Sequence, residues 1–98
     1  MVDGVGFDRN GYLTDASQWT AQLAEAIAAS QHIALTPRHW AAIEAARKDY
    51  AETGASPNIR RLTKVSDVST KELYQLFPKA PGMTLARVAG LPKPVGCI

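Results

Sequence analysis

Ninety-eight residues, 46% hydrophobic and 20% charged, make one globular domain with a modest core, and neither a disordered chain nor two separate cores fits. Eleven Lys and Arg against nine Asp and Glu leave a net charge of +2, too mild to mark a binder of nucleic acid or anionic membrane on charge alone. No apolar run approaches a membrane span, no signal-peptide pattern opens the chain, and a single cysteine allows neither an internal disulfide nor a thiolate zinc site, so the cytoplasm is the expected compartment.

Residues 5–14 place Asn10-Gly11 between Phe7 and Tyr12-Leu13, a type I′ turn signal that predicts a short hairpin resting on a helical body. A first helix is predicted from Ser17 to Ser30, capped by Asp15 or Ser17, with Trp19, Leu23, Ala26 and Ile27 forming its core stripe. Thr36-Pro37 opens a second helix, which carries Trp40, Ile43 and Tyr50 and stops near Gly54. Ser56-Pro57 begins a short third helix that buries Ile59 and Leu62. Ser69-x-x-Glu72 is a capping box for a fourth, with Leu73, Leu76 and Phe77 inward and Pro78 as its stop. A last helix spans Met83 to Ala89, ended by Gly90. Two prolines in three residues forbid helix in Leu91-Pro92-Lys93-Pro94-Val95-Gly96-Cys97-Ile98, so this tail is expected to be an extended arm reaching about 25 Å. The expected fold class is therefore mainly α. It is a small orthogonal helical bundle over residues 17–90, with an N-terminal β-hairpin at 5–14 and an extended mobile C-terminal arm at 91–98, all in one domain of residues 1–98.

Cys97 is the strong nucleophile of the sequence. A lone cysteine is ordinarily a small buried hydrophobe. A penultimate cysteine after Pro-x-Pro and glycine has little prospect of core burial, which favours an accessible thiol that exchanges sulfur with partners. Lys93 on the same arm favours the thiolate, and the terminal carboxylate of Ile98 opposes it. His32 and His39 have no second cysteine and no HxxxH partner, so no metal site is expected. His39, beside Trp40, reads as a half-buried ring with a satisfied nitrogen. No carboxylate pair or glycine-rich phosphate loop is present, so no cofactor and no conventional active site are expected. Arg60, Arg61 and Lys64 follow a four-residue turn containing Gly54, the outline of a helix-turn-helix. Three uses of this triad stay open: a solvated cationic face, a DNA-reading helix, or a docking patch for an acidic protein or an RNA backbone. Trp19 and Trp40 sit at core spacing.

Several stretches in order carry a more specific signal. They are Gly11-Tyr12-Leu13, Ser17-Gln18-Trp19, Leu35-Thr36 with His39-Trp40, and Ser56-Pro57 followed by Arg60. Then come Leu73-Tyr74-Gln75-Leu76-Phe77-Pro78, Pro81, and the tail Ala89-Gly90-Leu91-Pro92-Lys93-Pro94 with Cys97-Ile98. Over residues 11–98 this pattern resembles the DsrC/TusE family, the tail being its most specific part. The resemblance implies a small helical domain with an N-terminal hairpin and a mobile C-terminal arm, whose penultimate cysteine accepts sulfane sulfur as a persulfide and presents it to a partner. That role falls on Cys97. Family members serving dissimilatory sulfite reductase have a second cysteine ten positions earlier; Arg87 stands there in this chain, so the two-cysteine cycle is unavailable. The segment between Lys64 and Leu73 is several residues shorter than the family pattern, lacking a Gly/Lys/Glu-rich stretch.

The expected function is that of a sulfur carrier, a sulfurtransferase component without a substrate pocket of its own. Cys97 is both acceptor and donor, and Arg60, Arg61, Lys64, Lys93 and Gly96 face partners. Those partners are an upstream persulfide-donor relay protein and a downstream acceptor, either a tRNA-thiolating enzyme or a sulfur-oxidation or sulfite-reductase protein, with no direct nucleic-acid contact and no membrane. Two alternatives stand beside it: a helix-turn-helix regulator that binds DNA, and an accessory subunit of a sulfite-reductase-like complex with Cys97 as an anchor.

Overall fold

The computed structural model describes residues 6–94 of the chain; Gly96 and Cys97 lie outside the described residues. A 3-10 turn at Ala16–Gln18 is followed by five α-helices: α1 (Ala21–Ser30), α2 (Pro37–Thr53), α3 (Ile59–Val65), α4 (Thr70–Leu76) and α5 (Pro81–Val88). Helix α5 packs against α1, α2 and α4, with α2 also on α3 and α3 on α4. The central helix is short and mostly buried, including Leu85, Ala86 and Val88. Ala24 and Ala28 of α1, Ala42 and Ala46 of α2, and Ala86 of α5 are buried in one core with Ile43, Leu62, Leu73 and Phe77. Small side chains at these positions let the helices approach closely, and the larger apolar residues fill the space between them.

The expected N-terminal hairpin is not formed as strands. Among the described residues it is reduced to one antiparallel bridge, Phe7 with Leu13. Asp8 is the reason. Its Oδ1 accepts from the backbone N–H of Asn10 (2.9 Å) and of Tyr12 (3.0 Å), while the Gly11 N–H donates to the Asp8 carbonyl at 3.0 Å. The turn therefore begins at Asp8, and only Gly11 takes a positive φ (+84°), so it is not the type I′ turn read from Asn10-Gly11.

The first helix also starts later than Ser17. Asp15 caps the 3-10 turn through Ser17, but Thr20 is extended (φ −137°, ψ 163°) and caps α1 by accepting from the Leu23 N–H at 3.0 Å. The break at Thr20 takes Trp19 out of the helix. Helix α1 ends in a Schellman motif, with Ile33 N–H to the Ala28 carbonyl and His32 in the left-handed position at φ +60°.

Helix α2 runs from the Thr36 cap to Gly54, as its sequence signals require. Its capping box uses histidine: His39 Nδ1 accepts from the Thr36 N–H at 3.0 Å, and Nε2 donates to the Leu76 carbonyl at 2.8 Å. Accepting at one nitrogen and donating at the other assigns the neutral ring with its proton on Nε2. The ring stands edge-on to Phe77 at 5.1 Å between centroids, so this buried histidine ties α2 to the end of α4.

Helix α3 is capped by Asn58, whose side chain accepts from the Arg61 N–H at 2.9 Å, two residues beyond the Ser56 expected to start it. Ser69 caps α4, but Glu72 does not complete the box. Arg38 takes its carboxylate through two bonds of 2.7 Å and also reaches Asp67, pinning the start of α2 to α4. Helix α5 opens at Pro81, two residues before Met83, because proline at the first helical position leaves no amide unsatisfied.

Candidate functional site

The site is built around the root of the C-terminal arm. Helix α5 ends in a second Schellman motif, with Leu91 N–H donating to the Ala86 carbonyl (2.9 Å) and Gly90 at φ +72°. A Cβ at Gly90 would meet Trp19 Cδ1 at 2.4 Å, so the tryptophan leaves no room for a side chain there. Three side chains from three segments then bind carbonyls along the chain's exit. The Trp19 indole N–H donates to Val88 O (2.9 Å), Arg47 Nη1 to Ala89 O (2.7 Å), and Ser56 Oγ to Pro92 O (2.6 Å). The Arg47 guanidinium also covers the Trp19 ring, 4.1 Å from its centroid. Its charge sits at the C-terminal end of α5, where the helix dipole is negative. Burial moves the Arg47 pKa below its ordinary value.

This arrangement differs from the wholly mobile arm expected over 91–98. Residues Leu91 to Pro94 carry no regular secondary structure and are seated on the body: Leu91 is 1% exposed and Pro94 is buried, while Pro92 and Lys93 face solvent. The anchors escape a reading of the tail alone, because the groups that hold it lie on Trp19, Arg47 and Ser56, far away in sequence. A tryptophan at core spacing opposite a helix-ending glycine was the available signal.

The remaining candidates are placed as follows. Arg60 and Lys64 are exposed on α3, beyond the Ser56 corner. Arg61 is exposed in part, but Nε and Nη2 donate to Asp49 Oδ1 at 3.1 and 2.8 Å, and Asp49 is only 3% exposed. That contact raises the Arg61 pKa and fixes α3 on α2. Arg61 is thereby turned towards Asp49, while Arg60 and Lys64 make no ion pair among the described residues. Lys93 is exposed on the arm.

Arg87, ten positions before Cys97, donates from Nε to the Asn10 carbonyl (2.9 Å) and stacks over the Tyr12 ring at 4.9 Å. It fastens the N-terminal turn to α5 and borders an open cleft of about 330 Å³ with Phe7, Leu23 and Ile27. With Cys97 the sole cysteine, no disulfide can form within the chain. Among the described residues no three His, Cys, Asp or Glu are grouped as a metal would need, and no helix is long and apolar enough to cross a membrane.

Comparison with known proteins agrees with this architecture. The family described as DsrC like protein matches residues 3–98. A protein of Escherichia coli named Sulfurtransferase TusE is 43% identical, the match covering 93% of this chain and 90% of the relative. The solution structure of Allochromatium vinosum DsrC superposes with a TM-score of 0.86 at 37% identity, covering 99% of this chain and 95% of that one. The oxidized gamma-subunit of dissimilatory sulfite reductase (DsrC) from Archaeoglobus fulgidus gives a TM-score of 0.81 at 36% identity, over 96% and 92%. With a family match over nearly its whole length, and relatives and folds to the same effect, this chain belongs to the DsrC-like family.

Proposed function

We propose that this protein is a cytoplasmic sulfur carrier in a sulfur relay, loading sulfane sulfur on Cys97 and handing it to a second protein. The observation that carries the reading is membership of a family whose relatives include sulfurtransferases, in a chain with one thiol, five residues beyond the clamped carbonyl of Pro92. The chemistry is two thiol exchanges. The Cys97 thiolate attacks the outer sulfur of a donor persulfide; the new S–S bond to Cys97 forms as the donor's S–S bond breaks, and the donor leaves as a thiolate. An acceptor thiolate then attacks the outer sulfur on Cys97, releasing the Cys97 thiolate. Sulfane sulfur moves, and no external oxidant or reductant is consumed.

Within this scheme Lys93 supports the thiolate and Gly96 lets the sulfur turn towards a partner. Arg60, Arg61 and Lys64 supply a cationic rim on α3, with Arg60 and Lys64 the freer of the three. Rim charges act mainly on association rate. The upstream partner is a persulfide donor, and the downstream one is a tRNA-thiolating enzyme or a sulfur-oxidation or sulfite-reductase protein. The family match does not favour the DNA-binding alternative, and Arg61 is turned towards Asp49.

The test is to incubate the protein and its Cys97→Ser variant with a cysteine desulfurase and cysteine, then weigh the intact chains. The protein gains the mass of one or more sulfur atoms, removable by reductant, and the variant gains none. Equal gain in both, or none in either, overturns the proposal.

A further inference from the structure

We infer that the cleft between α1 and the N-terminal turn binds a small apolar molecule carrying one carboxylate, with Arg87 as the group that reads the acid. The inference is independent of the carrier reading and of the C-terminal arm. The floor of the cleft is one face of α1, where Leu23 is buried and Ile27 half-buried, with Ala26 beside them. The residues along this face run from Leu23 to Gln31, about 12 Å of helix. Phe7, half-buried in the N-terminal segment, adds a second apolar wall. At about 330 Å³ the cleft has the size of a site for a small ligand.

Arg87 is set for a carboxylate. Its Nε donates to the Asn10 carbonyl at 2.9 Å, and its guanidinium carbon lies 4.9 Å from the Tyr12 ring centroid, so one edge and one face are fixed. Nη1 and Nη2 make no hydrogen bond or ion pair among the described residues. These two nitrogens form the end of the fork, the edge that takes both oxygens of a carboxylate. Because the group is already held, little rotamer freedom is lost on binding. No Asp or Glu lines the cleft among the described residues, and Asp8 spends its Oδ1 on the amides of Asn10 and Tyr12. One cation beside an apolar floor, with no acid next to it, selects a monoanion with an apolar body.

The surroundings favour a small molecule over a protein partner. Among the described residues, the large hydrophobic side chains that are exposed are Val65 and Tyr74, on α3 and α4, whereas the cleft lies on α1. Asn10, Ser30 and Gln31 also line it, and all three are exposed and polar, so they form its rim. The apolar surface is therefore inside the cleft and stops at its mouth, which is the pattern of a ligand pocket and not of a docking patch.

The test titrates the reduced, isotopically labelled protein with octanoate and with phenylbutyrate, each below self-association, and follows amide chemical shifts. At least one acid should saturate the protein, with shifts gathered at Phe7 to Gly11, Leu23 to Gln31 and Arg87. Each acid that binds should do so at least tenfold more tightly than its uncharged alcohol, octanol or phenylbutanol. Acetate, which has the head group without the body, should not saturate. Arg87→Met should weaken the acid at least tenfold and leave the alcohol unchanged. Arg87 also fastens the N-terminal turn, so a second variant leaves it in place. Ala26→Phe, at an exposed position of α1, fills the cleft and should weaken the acid at least tenfold while the urea midpoint holds. Failure of both acids to saturate, alcohols that bind as tightly as the acids, shifts gathered elsewhere, or unchanged acid binding in Ala26→Phe would each overturn the site. No step requires sulfur transfer, so failure here is distinct from failure of the carrier reading.

Discussion

Replacing Gly90 by alanine tests whether the arm root is organised as described. The residue sits at φ +72°, where a Cβ costs about 1 kcal/mol in any protein. Here the added carbon would also stand 2.4 Å from Trp19 Cδ1 and 2.8 Å from Cγ, inside van der Waals contact, so the indole must move. Moving it breaks the bond to Val88 O, worth about 1 kcal/mol, and unstacks Arg47, worth about 0.5–1 kcal/mol. The combined loss is about 3 kcal/mol, a large share of the roughly 5–15 kcal/mol that holds a domain folded. Gly54→Ala is the matched control. Its φ is +78°, but nothing lies within 4 Å of the position a Cβ would take, so only the backbone penalty of about 1 kcal/mol applies. Urea unfolding followed by circular dichroism gives both values, and tryptophan fluorescence reports the displaced indole in the folded state. Gly90→Ala costing no more than Gly54→Ala would refute the packing of Trp19 on the arm root.

Three further outcomes follow from the interactions on the body. Arg61→Ala should lower the urea midpoint clearly, because it strands the buried Asp49 carboxylate, whereas Arg60→Ala and Lys64→Ala stay within about 0.5 kcal/mol of the parent; equal effects would deny Arg61 its structural role. Hydrogen bonds from Arg38 hold the Glu72 carboxyl below its ordinary value near 4.5, so its contribution is present above that value and lost as pH falls through the lower folded one. The drop in urea midpoint between about pH 6 and about pH 3 should therefore be smaller in Glu72→Gln, and an identical drop would contradict the pairing. Tyr12→Phe removes a buried hydroxyl that has no partner among the described residues while keeping the ring under Arg87, so stability should hold or rise by up to about 1 kcal/mol; a loss above about 1 kcal/mol would show that the hydroxyl is bonded after all.

Much of the fold was legible because its signals are local. Thr36-Pro37, Gly54, Ser69 and Gly90 act within one turn of themselves, and four helix ends fell where these residues put them. What misled was competition between equivalent local signals. Asp8 captured the turn that Asn10-Gly11 advertised, Thr20 took the cap offered by Asp15 and Ser17, and Asn58 displaced Ser56. Glu72 had a choice of partners, and Arg38, thirty-four positions away, took it. The same limit governs the site. Cys97, the proposed sulfur acceptor, could be singled out from sequence because it is the sole cysteine and follows Pro-x-Pro and a glycine. The clamp that seats the arm could not, since it joins Trp19, Arg47 and Ser56 to carbonyls that carry no side-chain signature. Nor could spacing show that Arg61 of the basic triad would be spent on Asp49.

The central claim is that Cys97 receives sulfur and gives it up again, and a load-and-chase measurement tests it most directly. The protein is charged with isotopically labelled sulfur from a cysteine desulfurase, freed of donor, and mixed either with a tRNA-thiolating enzyme and its tRNA or with a sulfite-reductase protein. The account predicts that label leaves Cys97 and appears on one of these acceptors at a rate that rises with acceptor concentration, and that Cys97→Ser transfers none. Label that loads but stays on the chain in the presence of both acceptors would mark Cys97 as an anchor and contradict the carrier account.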